Sequence, residues 1–127
     1  MKLYTLYIAL PPFPLPFANG TAEDYALRRV ANTFGGFTSQ RTKGGWMNPD
    51  TRKVEVEDAL RVEIVAANPA VVAQFAEALG RDLGQKEVMV VTHNATVAFI
   101  AVREMTPVGS LHADPTVHAT LPAASGL

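Results

Sequence analysis

The chain contains no cysteine, which excludes disulfides, thiolate nucleophiles and zinc sites built on sulfur. No apolar run approaches the roughly 20 residues needed to span a bilayer as a helix. There is no basic stripe: 11 Lys and Arg stand against 12 Asp and Glu, for a net charge of −1. That balance argues against nucleic acid as a partner, because phosphate contacts need clustered cations. Also missing are a P-loop, a dinucleotide fingerprint and a G-x-S-x-G nucleophile turn. Gly35-Gly36 and Gly44-Gly45 are turn glycines that do not make a phosphate cradle. No cofactor is implied. His112, Asp114 and His118 match no standard metal spacing, so no metal site is expected.

What is present suits one globular domain. The chain has 127 residues, 48% of them hydrophobic, enough for a single core. The opening MKLYTLYIAL resembles a leader in its lysine and apolar run. That run is broken by Thr5 and by Pro11, Pro12, Pro14 and Pro16, and it reads instead as a strand that the prolines end. A cytoplasmic location is the corresponding expectation.

The pattern predicts a strand over 2–10, then a stiff proline loop and an Asn19-Gly20 turn. Thr21 and Asp24 form a capping box for a helix whose apolar face holds Ala26, Leu27, Val30, Ala31 and Phe34. A second strand is expected over 37–43, with a bulge or a close backbone approach at Gly44-Gly45. Asn48-Pro49-Asp50-Thr51 is a type I turn signal. A third strand over 53–66 places Val54, Val56, Leu60, Val62, Ile64 and Ala66 on one face and Glu55, Glu57, Arg61 and Glu63 on the other. Asn68-Pro69 starts a second helix, which carries Val72, Phe75, Ala76, Leu79 and Leu83 and stops at Gly84. A strand over 87–91, a hairpin turn at Thr92-His93-Asn94-Ala95 and an additional C-terminal strand over 96–102 complete the expectation. The fold class is α+β: a ferredoxin-like βαββαβ antiparallel sheet with both helices on one face. The domain is expected to occupy residues 1–106, followed by an irregular tail over 107–127.

Few residues carry chemistry. Glu57 falls on the helix-free face, whereas Asp58 falls in phase with the apolar one. A buried carboxylate is costly unless paired. Asp58 therefore lies beyond the helix cover, sits at a bulge with both acids solvated, or binds something specific. Trp46, the single tryptophan, is a packing cap or an aromatic wall for a cation. His93 reads as a turn residue. Phe13 and Phe17 line a pocket or bury a subunit contact.

Gly44-Gly45-Trp46, then Glu57-Asp58 before Leu60-Arg61-Val62-Glu63-Ile64, then Gln85-Lys86-Glu87-Val88-Met89-Val90 resemble the pattern of the phage S-adenosylmethionine lyases. The opening strand and the loop after Ala9 are similar too, so the resemblance spans most of residues 1–102. Trp46 stands where the family often has Tyr, and Asp58 where it has Glu. The resemblance implies cleavage of S-adenosylmethionine to methylthioadenosine and homoserine lactone, driven by the substrate's own carboxylate. It implies Glu57 and Asp58 as catalytic acids, and Trp46, Gly45 and Phe13 as substrate-binding residues. It also implies a homotrimer with sites between subunits and a role in phage defence against host restriction. The alternative expectation is a non-catalytic ferredoxin-like module that oligomerises through its open sheet face.

Overall fold

The computed structural model describes residues 1–102. The element order is β1 (Lys2–Ala9), α1 (Ala22–Phe34), β2 (Thr38–Met47), β3 (Val54–Ala66), α2 (Pro69–Asp82) and β4 (Met89–Thr92). The strands form one antiparallel sheet in the order β2-β3-β1-β4. This is the ferredoxin-like arrangement the sequence pattern predicts. The expected tail over 107–127, and with it the domain boundary at 106, lies outside the described residues, as do His112, Asp114 and His118.

Local chemistry sets the helix limits. The Thr21 hydroxyl accepts from Asp24 N at 3.1 Å, and Thr21 N donates back to the Asp24 carboxylate at 3.3 Å, closing the capping box. The Asn68 side chain accepts from Ala70 N at 2.9 Å and caps α2, with Pro69 at the first helical position. At the far end Gln85 N donates to Gly80 O at 2.8 Å while Gly84 takes a φ of 70°. That is a Schellman stop, which only glycine adopts without strain.

The core lies between the helices and one sheet face. Tyr4, Leu6 and Ile8 of β1 and Leu60, Val62 and Ile64 of β3 meet Ala26 and Val30 of α1 and Val72, Phe75, Ala76 and Leu79 of α2. Phe34 and Phe75 add an edge-to-face contact at 5.0 Å, tying α1 to α2.

Two sequence expectations are corrected. Residues 96–102 form no strand. A two-residue hairpin turn needs positive φ, and neither His93 nor Asn94 has it. His93 instead continues the β1 pairing, donating its N–H to Leu3 O at 3.0 Å. Nor is there a bulge or a close approach at Gly44-Gly45. The β2–β3 register runs unbroken through Gly44↔Glu57 and Gly45↔Val56 to Met47↔Val54, and a side chain at Gly44 would meet nothing within 4 Å.

The strands differ in length, and this positions the site. β3 has 13 residues and β1 has 8. β1 pairs with β3 only as far as Ala9↔Ala59. Val54–Asp58 therefore extend with β2 as a two-stranded arm, roughly 17 Å long at the usual strand rise of about 3.3 Å per residue. Val54 and Val56 stay in phase with the core face yet are exposed, because the arm outruns both helices.

Candidate functional site

The base of the arm borders a cavity of about 710 Å³, within the range of small-molecule sites. Four separate segments build it. Leu10 and the loop Pro11–Pro14 form one wall, and Thr21–Glu23 at the start of α1 form the next. Arg41, Lys43, Val56, Glu57 and Asp58 supply the sheet side, and Leu83–Gln85 after α2 close the fourth. Leu10 N donates to Asp58 O at 2.9 Å. This is the last tie between the first strand's extension and β3 before the chain turns into the proline loop.

The acids lie on different faces, as strand alternation requires. Asp58 faces the helix side, directly across from Lys43. Lys43 Nζ donates to Asp58 Oδ1 at 3.1 Å. Two residues along β2, Arg41 Nε donates to Glu23 Oε1 at 2.6 Å, joining the strand to the first turn of α1. Glu57 sits opposite Gly44, which offers no side chain to cover it. Among the described residues Glu57 has no ion-pair partner. Three acidic and two basic residues thus border the cavity; Glu23 and Asp58 are paired, and Glu57, at the edge with its side chain on the opposite face from Asp58, has no ion-pair partner among the described residues.

Asp58 lies beyond the helix cover and is solvated, the first of the three settings weighed for it. Glu57, Asp58 and Phe13 all line the cavity. Trp46 and Gly45 do not. Trp46 faces Glu55 across the arm on the helix-free side and is 51% exposed. Gly45 opposes Val56. Phe17 is outside the cavity, packed edge-to-face on Tyr25 at 5.3 Å. His93 lies on the helix-free face, where its Nε2 is 2.7 Å from the buried Thr5 hydroxyl.

Sequence reasoning missed Arg41, Lys43, Glu23 and Gln85. The signal for the first two was available. Arg41 and Lys43 are two apart on a strand and share a face. Their register was not legible: only the structure shows Asn48 N donating to Lys53 O at 2.9 Å, the closure that sets Lys43 against Asp58.

Outside the cavity lining, a polar cluster ties the two helices together. The Tyr25 hydroxyl donates to Asp82 Oδ2 at 2.6 Å, Arg29 donates to Tyr25 Oη at 2.8 Å, and Arg29 also pairs with Asp82. The hydroxyl donated by Tyr25, reinforced by the Arg29 guanidinium, holds the Asp82 carboxyl below its usual range. Burial, together with the adjacent carboxylate, pushes the Tyr25 hydroxyl up. Among the described residues no group of three His, Asp or Glu side chains is placed to hold a metal ion. No helix among them is long and apolar enough to cross a membrane.

No protein-family model matches the chain, and no curated protein matches it. Solved structures do. A phage SAM lyase in complex with S-methyl-5'-thioadenosine aligns with a TM-score of 0.54 at 13% identity, over 72% of this chain and 79% of that one. A phage SAM lyase in the apo state aligns with a TM-score of 0.50 at 14% identity, over 72% and 78%. At these identities the likeness is one of fold.

Proposed function

We propose that the chain is an S-adenosylmethionine lyase. The observation that carries the reading is the free carboxylate of Glu57 at the edge of a ligand-sized cavity, in a chain that shares its fold with phage SAM lyases. The substrate has a sulfonium, an ammonium, a carboxylate and an adenine. Glu57 holds the ammonium, and the exposed Phe13 ring gives adenine a stacking face. Asp58 is the second acid, and Trp46 and Gly45 on the arm reach substrate from beside the cavity. A homotrimer with sites between subunits accommodates that division, since the arm projects clear of its own domain.

The reaction needs no protein nucleophile. The substrate carboxylate oxygen attacks its own γ-carbon, the γ-carbon–sulfur bond breaks, and the bonding pair moves to sulfur. Methylthioadenosine leaves as a neutral thioether, and the lactone keeps the ammonium. The protein's task is to fold the substrate so that its ends meet, which is catalysis by proximity and orientation. The role follows as depletion of the methyl donor in a bacterial cytoplasm, serving a phage against restriction.

Incubation with S-adenosylmethionine followed by chromatography tests this. Protein-dependent methylthioadenosine well above the spontaneous rate is the expected result, and its absence from correctly folded protein removes the reading. The alternative, a non-catalytic oligomeric module, draws on the exposed Trp46, Met47, Val54 and Val56 of the arm. Such a module leaves S-adenosylmethionine intact.

A further inference from the structure

The charge pattern of the cavity has a direct bearing on which ligands it accepts. Arg41 neutralises Glu23 and Lys43 neutralises Asp58, so among the described residues that border the cavity one carboxylate, that of Glu57 at its edge, is left without an ion-pair partner. A ligand with a sulfonium, an ammonium and a carboxylate carries one net positive charge and matches it. The neutral thioether lacks the matching charge. The decarboxylated sulfonium carries two positive charges, one more than Glu57 compensates, and it has no carboxylate to set near Lys43 or Arg41.

We propose that Lys43 is a specificity-determining residue of this cavity. By occupying Asp58 it limits the free negative charge to one and so selects amino-acid sulfonium ligands over their decarboxylated forms. This deepens the lyase reading and rests on it. The residue pair is directly cross-strand, which places the ammonium within reach of Asp58. Both partners are exposed, so the effect belongs to the modest class of solvated ion pairs and is read at low ionic strength.

The test is calorimetric titration with three probes that the proposed reaction leaves uncleaved. Sinefungin carries one net positive charge, with an ammonium in place of the sulfonium. S-adenosylhomocysteine is neutral, and decarboxylated S-adenosylmethionine carries two positive charges. Wild-type protein is expected to favour sinefungin. Lys43→Met frees Asp58 and should shift the ratio of affinities toward the decarboxylated ligand by about five-fold. Adding Asp58→Asn to Lys43→Met should return the ratio to its wild-type value, which a merely structural role for Lys43 would not do. An unchanged ratio in Lys43→Met, or a shift that Asp58→Asn fails to reverse, overturns the proposal while leaving the lyase reading intact if methylthioadenosine is still released. Failure of the wild-type protein to bind any of the three probes, with no methylthioadenosine released, overturns both.

Discussion

Asp58 is held by Lys43 at 3.1 Å, whereas Glu57, one residue earlier, faces Gly44 and has no ion-pair partner among the described residues. Neutralising Glu57 should therefore matter more than neutralising Asp58. In the lyase reading, Glu57→Gln keeps the shape and would lose one charge-assisted hydrogen bond to the substrate ammonium, a change of about 1.5–3 kcal/mol. We expect kcat/KM for methylthioadenosine release to fall by roughly 10- to 100-fold with the thermal melt unchanged; Asp58→Asn should fall by less. Wild-type activity in Glu57→Gln would sink the lyase assignment. Asp82 gives a prediction about pH. Its folded pKa is depressed, so its contribution to stability is present above the unfolded value of about 3.9 and is lost as pH falls through the folded value. Asp82→Asn should melt below wild type at pH 7, by about 1 kcal/mol given the partial exposure of the pair. The two curves should converge as the pH falls through that depressed folded value. A gap that persists at the lowest pH would mean that packing, not charge, accounts for the difference.

At the scale of elements, the β2–β3 arm depends on its turn. The Asn48 side chain accepts from Asp50 N at 2.9 Å and its carbonyl from Arg52 N at 2.8 Å, and the loop closes with Arg52 at a φ of 60°. A left-handed conformation costs a residue with a Cβ about 1–2 kcal/mol, and glycine adopts it freely. Arg52→Gly should therefore be neutral or stabilising by up to about 1 kcal/mol after the extra unfolded-state entropy of glycine is counted. A chemical denaturation midpoint below wild type would show that the Arg52 side chain itself supports the turn. The sheet is more sensitive. Leu60 is fully buried at the base of the arm, and Leu60→Ala should cost about 2–5 kcal/mol.

For the whole molecule, the arm is a feature that the described residues of one chain leave uncovered. Met47, Val54 and Val56 are exposed on one face of it and Trp46 on the other, and exposed apolar side chains grouped in this way mark contact surfaces. In the trimeric reading the arm meets a neighbouring subunit. Light scattering should give three times the chain mass, and the emission of Trp46, the single tryptophan, should shift to the blue as protein concentration rises through assembly. A red, concentration-independent emission from a confirmed trimer would place the arm outside the interface.

Period-two alternation over 54–66, the Thr21–Asp24 box, Asn68-Pro69 and Gly84 determined the elements, because each is a local preference of backbone or side chain acting within a few residues. Their order determined the sheet, since connections of these lengths leave few ways to cover one face with two helices. The extra strand over 96–102 failed because a strand needs a partner edge and a turn to reach it, and the His93–Asn94 backbone supplies no such turn. The cavity was beyond reach of pattern alone. It brings the proline loop, the start of α1, the β2–β3 arm and the end of α2 together, and only packing decides how far the helices reach along β3. The helix cover ends short of Asp58, so a carboxylate in phase with the core stays in water beside Lys43. Glu57 is left without an ion-pair partner among the described residues for a different reason: it points to the helix-free face, and the register sets it against Gly44, which has no side chain to answer it.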